Sequence, residues 1–232
     1  MENEDVVFEQ TYDLNSKRWK TQFSLKLIRF AIIMLVIFSI PSLVFYSFFC
    51  QLKVVGISMQ PTLNEELVEG LSDEEYEKSE YQDVVVVSKF SKGDVGDIVV
   101  VKKSNKYVVK RIIAKGGQTV ALKKEEGTEL YAYYVDGEKL NEPYIATNYL
   151  EMDYNYFLDF TCVATSRNGN LEASLTVPDG EIFVLGDNRG ISLDSHLQKC
   201  GCLKEDNVLG KVVTYYKYNT DLFSHIFSLI FG

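Results

Sequence analysis

The 232-residue chain holds only two histidines, His196 and His225, so a nucleophilic serine has few bases to choose from. His196 follows Asp194 and Ser195 directly, and neighbours in a strand point to opposite faces. A triad built from these three alone is therefore geometrically strained. His225 lies in an apolar tail and reads as structural. A lysine can replace histidine only as its neutral amine. Moving a lysine from about 10.4 to about 7–8 takes roughly three pKa units, or about 4 kcal/mol, and apolar burial opposes the ammonium form in that way. Lys110 is the best placed: in Tyr107-Val108-Val109-Lys110-Arg111-Ile112-Ile113 it has apolar residues on both sides within one strand pattern.

A lone serine, Ser58, stands in VVGISMQPTL, Val54 to Leu63, a few residues after a long apolar run. Ser58 and Thr62 are polar and Pro61 would interrupt a central strand, so a core strand is a poor reading. A plain juxtamembrane turn is the other one. Ile57 and Met59 would offer apolar contact to lipid or substrate. Cys50, Cys162, Cys200 and Cys202 form no metal pattern, because Cys200-Gly-Cys202 has no second ligand pair nearby. No metal or cofactor is expected, and a disulfide among the last three stays open.

These residues need elements to position them. Phe30 to Cys50 runs 21 residues without a charge, about the length that crosses a hydrocarbon core as a helix. A cleavable signal peptide fits less well, since the run is long, far from the terminus and ends in Phe48 and Phe49. Lys17, Arg18, Lys20, Lys26 and Arg29 precede the run and only Lys53 follows closely. The positive-inside rule then makes residues 1–29 a cytoplasmic segment, 30–50 a single transmembrane helix and 51–232 an extracytoplasmic domain at the plasma membrane. The first sixteen residues read as a short mobile tail.

Beyond the span the pattern is β. Strands are expected at Val84–Ser88, Asp97–Lys102, Tyr107–Ile113, Leu130–Val135, Glu181–Leu185 and Lys211–Tyr218, separated by glycine-containing breaks such as SKGD, KGGQ and VDGE. The expected fold is mainly β, behind one N-terminal transmembrane helix. Asn64 to Asp83 carries nine carboxylates and one lysine and reads as a solvated acidic insert, with room for a short surface helix. The net charge of −9, with no large basic patch, argues against nucleic acid as a partner. The apolar tail Leu222 to Phe231 is half a span long, and either packs on the β domain or dips into the membrane interface.

Five segments occur in order: SMQPTL (Ser58 to Leu63), GDIVVVK (Gly96 to Lys102), VVKRIIAKGGQTV (Val108 to Val120), VDGEKLNEPYI (Val135 to Ile145) and VLGDNRGISLDS (Val184 to Ser195). Together they resemble the motif series of bacterial type I signal peptidases, from about Val54 to Val213, with the anchor as that family has it. The resemblance implies a signal-peptidase-like antiparallel β domain and a membrane-bound serine endopeptidase that removes signal peptides from secreted preproteins, working at the bilayer beside the secretion translocon. It makes Ser58 the nucleophile and Lys110 the general base. It gives Ser192 the orientation of the lysine, Asp187, Asn188 and Asp194 the support of the site, and Arg111 the place of the basic residue after the lysine. Gly56 falls where some members carry an oxyanion-hole serine and others a glycine, so the Ser58 N–H would carry more of that stabilisation.

The chain also departs from the family pattern. His196 stands where the family has arginine, Gln118 replaces an acidic residue and Gly116 a proline. Two other readings stay open: a specialised Ser/Lys processing peptidase for one or a few exported proteins, and a non-catalytic membrane-tethered β module that binds exported chains.

Overall fold

The structure is a computed structural model and describes residues 2–67, 70–78, 82–125, 131–145, 163–167, 170–197, 200–218, 220 and 222–231. The chain divides into two units, Met1–Phe48 and Phe49–Gly232. The first is one helix, α1 (Glu2–Phe48), with Pro41 inside it. Its part from Arg18 to Phe48 is long and apolar enough to cross a membrane, an 18-residue stretch within it reaching a mean hydropathy of 2.4, and Leu35, Phe38 and Leu43 are exposed. The N-terminal stretch expected as a mobile tail is helical, and it contains no glycine or proline to stop the helix. The helix ends at Phe48, before the expected end of the apolar run. Phe49 and Cys50 open a strand, β1 (Phe49–Lys53), where Cys50 pairs with Val87.

The second unit is two antiparallel sheets, as expected for the fold class. The larger contains β1, β2 (Val84–Ser88), β3 (Ile98–Lys103), β4 (Lys106–Lys115), β10 (Glu181–Leu185), β11 (Leu203–Lys204) and β12 (Val208–Tyr216), in the order β1-β2-β12-β3-β4-β10-β11. The smaller has the order β7-β6-β5-β9-β8, from β5 (Thr119–Lys124), β6 (Tyr131–Val135), β7 (Glu138–Lys139), β8 (Val163–Arg167) and β9 (Asn170–Thr176). The valine runs of β2 and β3 are buried on both faces, which suits central strands of β-branched residues.

Three larger clusters among the described residues pack on the sheets. Ile113, Ala114, Phe183 and Leu185 from the larger sheet pack against Val120, Leu122, Tyr133 and Ala173 from the smaller. One face of the larger sheet carries Val99, Val101, Ile112, Ile182 and Val184, with Val108 beside them. On its other face Val85, Val87 and Val100 pack with Met59 and Leu63, with Val109 beside them. Met59 is therefore a core residue at 1% exposure, not a lipid or substrate contact.

Between β4 and β5 the chain turns tightly. A Cβ on Gly116 would stand 2.9 Å from Pro178 O, so the residue found in place of the family proline leaves room for that neighbouring loop. Gln118 accepts from Lys115 N at 3.0 Å and donates to Asp136 Oδ2 at 3.0 Å, so an amide at this position ties the turn to the Asp136 carboxylate.

The acidic insert does more than extend into solvent. A short helix, α2 (Asp73–Lys78), turns Tyr76 inward, and Tyr76, Leu67 and Ile57 form a small buried cluster. Apolar residues placed among the carboxylates have a partner that charge patterning does not reveal. The tail forms α3 (Leu222–Phe231), whose His225 Nε2 lies 2.9 Å from Thr214 Oγ1 and whose ring packs on Tyr216, so the tail packs on β12. No disulfide joins Cys50, Cys200 and Cys202 among the described residues, and Cys162 lies outside them.

Candidate active site

Strand alternation sets the first half of the site. Val108 and Ile112 pack on one face of the larger sheet and Val109 on the other, so Lys110 shares the first face and Arg111 the second. Lys110 is 5% exposed, and its amine donates to Ser192 Oγ at 2.5 Å. Ser192 in turn donates to Asp194 Oδ1 at 2.5 Å, and that carboxylate oxygen is 3.0 Å from Lys110 Nζ. The other oxygen of Asp194 accepts from Gly186 N at 2.6 Å. Lysine, serine and aspartate thus form a closed, buried polar cluster in which each group has a partner.

Arg111 works on the opposite face. It grips Asp187 with Nε at 2.9 Å and Nη2 at 2.6 Å, a bidentate pairing that fixes direction as well as distance. Asp187 also accepts from Thr62 Oγ1 at 2.5 Å, which ties the SMQPTL turn to the lysine strand. Thr62 was not among the expected site residues. Its hydroxyl at the fourth position after Ser58 was the available signal.

Ser58 itself is held by its backbone. Asn188 N donates to Ser58 O at 3.1 Å and Asn188 Nδ2 to Ile57 O at 3.2 Å. Asn64, also not foreseen, donates through Nδ2 to Val54 O at 2.7 Å and to Gly56 O at 2.8 Å, anchoring the start of the turn. Gly56 has φ +83°, a left-handed conformation that a glycine takes without strain. The Ser58 N–H makes no backbone hydrogen bond among the described residues, which leaves it available to an incoming oxygen.

Gly186 joins the halves. A Cβ there would stand 2.3 Å from Ser58 O and 2.2 Å from Ser192 Oγ, so the Ser58 backbone and the hydroxyl partner of Lys110 close over one glycine. No hydrogen bond joins Ser58 Oγ to Lys110 Nζ among the described residues; the amine is engaged by Ser192 and Asp194. Of the expected residues, Ser58, Lys110, Arg111, Asp187, Asn188, Ser192 and Asp194 come together through these contacts, and Gly56 lies at the start of the same turn. His196, in the place of the family arginine, is buried at 2% exposure next to Ser195, whose N donates to Val184 O at 3.1 Å.

β4 also has an open edge. From Lys106 to Arg111 it pairs with β3, but β10 pairs with it only from Arg111 to Lys115. The stretch just before the lysine therefore lacks a strand neighbour on one side among the described residues.

The fold and the cluster define a mainly β protein in which a buried lysine, a second serine and an aspartate gather beside a serine-bearing turn. The family model described as signal peptidase, peptidase S26, matches residues 24–217, and the chain belongs to this family. It is 33% identical over 121 residues to signal peptidase IB of Staphylococcus aureus (strain MRSA252), covering 50% of this chain and 59% of that one. It is 31% identical over 162 residues to signal peptidase I of Bacillus amyloliquefaciens, covering 68% of each. A solved signal peptidase I from Enterococcus faecalis V583 is 33% identical, with 53% of this chain and 97% of that one covered and a TM-score of 0.37. The chain spans little more than half the length of the Staphylococcus aureus relatives, between 52% and 59%.

Proposed function

We propose that this chain is a membrane-bound serine endopeptidase that removes N-terminal signal peptides from exported preproteins, with Ser58 as nucleophile and Lys110 as general base. The observation that carries this reading is the closure over Gly186, where the Ser58 backbone meets the hydroxyl that holds the Lys110 amine. Membership of the signal peptidase family supports it.

In the mechanism, Lys110 as a neutral amine takes the Ser58 hydroxyl proton while Oγ forms a bond to the scissile carbonyl carbon. The carbonyl oxygen becomes an oxyanion and accepts from the Ser58 N–H; one such donor typically contributes about 2.7–4 kcal/mol. Collapse breaks the peptide bond, and the departing amine of the mature chain takes the proton from Lys110. Water then attacks the acyl-enzyme, giving a proton to Lys110; Lys110 returns it to Ser58 Oγ as the ester bond breaks, and the signal peptide leaves as a carboxylic acid that ionises to solvent. The substrate lies extended against the open edge of β4, where backbone pairing supplies affinity and small pockets select small residues.

Residues 1–29 are assigned to the cytoplasm, 30–48 to a single span of the bilayer and 49–232, where β1 begins, to the extracytoplasmic side, following the basic flank of the span. A signal peptide emerges from the bilayer at its cleavage site, so a nucleophile a few residues beyond an anchor meets it at the right height, beside the translocon. The test is cleavage of a preprotein in detergent by Ser58→Ala and Lys110→Ala variants of the full chain. Both are expected to lose cleavage by a factor on the order of 10⁴ or more; full activity in either rules out the dyad.

A further inference from the structure

Outside the residues assigned so far, one ion pair is almost as deeply buried as the lysine cluster. The side chains of Arg189 and Glu142 are 1% and 7% exposed. Arg189 Nη1 donates to Glu142 Oε2 at 3.1 Å and Nη2 to Oε1, a fork on both carboxylate oxygens. Tyr144 OH donates to Glu142 Oε1 at 3.0 Å, while its ring lies under the Arg111 guanidinium, 3.8 Å from centroid to carbon. Burial, together with the Glu142 charge, pushes the Tyr144 phenol up, so it stays a donor. Burial by itself would lower the Arg189 guanidinium, but its hydrogen bonds to Glu142 outweigh this and hold it above its ordinary range.

A buried ion pair is weak evidence of stability, because removing both charges from water offsets most of their attraction. What this pair holds is specific. Glu142 follows β7 of the smaller sheet, whereas Arg189 sits in the turn after β10 of the larger. The third donor of Arg189, Nε, reaches Gly186 O at 3.1 Å. That turn presents Gly186, on which Ser58 and Ser192 close, and Asn188, which holds Ser58 O.

We propose that Glu142 and Arg189 are positioning residues for the cleavage reaction: through Gly186 they fix the turn at residues 186–189 against Ser58, and so set the reach from the Ser58 hydroxyl to Lys110. Tyr144 couples this strut to the Arg111–Asp187 pair, so both sides of the site are braced from the loop that follows β7. The inference rests on reading Ser58 and Lys110 as the reacting pair. A strut that merely joined two sheets would affect folding but would leave the turnover of folded enzyme alone.

The experiment uses the full chain in detergent and a peptide substrate with alanine at the small-residue positions, measuring kcat, KM and thermal unfolding. The double variant Glu142→Gln/Arg189→Met removes both charges together and leaves no unpaired buried ion, while Glu142→Asp keeps the charge and shortens its reach. In the double variant kcat is expected to fall on the order of a hundredfold, as a displacement of about 1 Å costs, with KM within about twofold of the parent. Glu142→Asp is expected to show a smaller fall of the same kind. A folded double variant with kcat within about threefold of the parent, or with KM rising in step with the loss, overturns the inference. If the double variant does not fold, Glu142→Asp decides: lower kcat at constant KM supports the role, and unchanged kcat overturns it. A parent that leaves the peptide intact instead sinks the reading of Ser58 and Lys110, and the inference falls with it.

Discussion

The Lys110 amine donates to Ser192 Oγ at 2.5 Å, and the same hydroxyl passes its own proton toward Asp194 at 2.5 Å. Ser192 is thus the only hydroxyl that the described residues place on the lysine, and it fixes where the amine points. Ser192→Ala should lower kcat on the order of a hundredfold, with KM little changed. Single-turnover cleavage of a peptide substrate measures this, and parent-like turnover would remove Ser192 from the site.

Gly186 admits no side chain. Its virtual Cβ meets a backbone carbonyl, Ser58 O, at 2.3 Å, and a backbone atom cannot swing aside as a flexible side chain can. Gly186→Ala should cost about 1–3 kcal/mol of stability, as overpacking does, and should abolish cleavage because the Ser58 turn is pushed away. Thermal unfolding beside an activity assay checks it; a folded, fully active alanine variant is the contrary result.

Tyr76 tests the acidic insert. Its ring closes the cluster with Leu67 and Ile57, the residue just before Ser58. Tyr76→Ala should cost about 3 kcal/mol, a fall of roughly 6–12 °C in unfolding temperature for a unit of this size. Cleavage should weaken as Ile57 loosens. An unfolding temperature and a rate equal to the parent's would return the insert to a solvent-exposed excursion.

Tyr144 gives a pH dependence. Burial, with Glu142 beside it, raises the phenol above its ordinary value. Above about pH 10 the unfolded chain loses that proton while the folded protein keeps it, so the unfolded state binds fewer protons and stability falls as pH rises. The contribution is fully present below about pH 10 and is lost through the alkaline range. Tyr144→Phe should flatten this decline between about pH 10 and 11.5 in urea unfolding, and an unchanged slope would contradict it.

Much of the fold was legible because six strands carry dense β-branched or aromatic runs; VVVVS and EIFVL begin and end where expected. Others were not. FCQLK, TVALKK and NLEASLT have weak local β preference, and they are strands because a neighbour pairs with them: β1 with β2, and β5 with β6 and β9. Met59 was misplaced for a related reason. Beside an apolar anchor it looked available to lipid, and only packing against Val85 and Val87 puts it in the core.

The sequence by itself determined the long apolar N-terminal run, the β class and the inventory of polar groups, since apolar length, strand alternation and motif order are local properties of the chain. Only the tertiary structure decided which polar groups meet. Ser58 and Ser192 close over Gly186, Thr62 and Arg111 share Asp187, and Glu142 reaches Arg189 from the loop after β7. Hydrogen bonds and ion pairs act over a few ångströms in space, and no periodicity records which distant residues the folded sheets bring within that range.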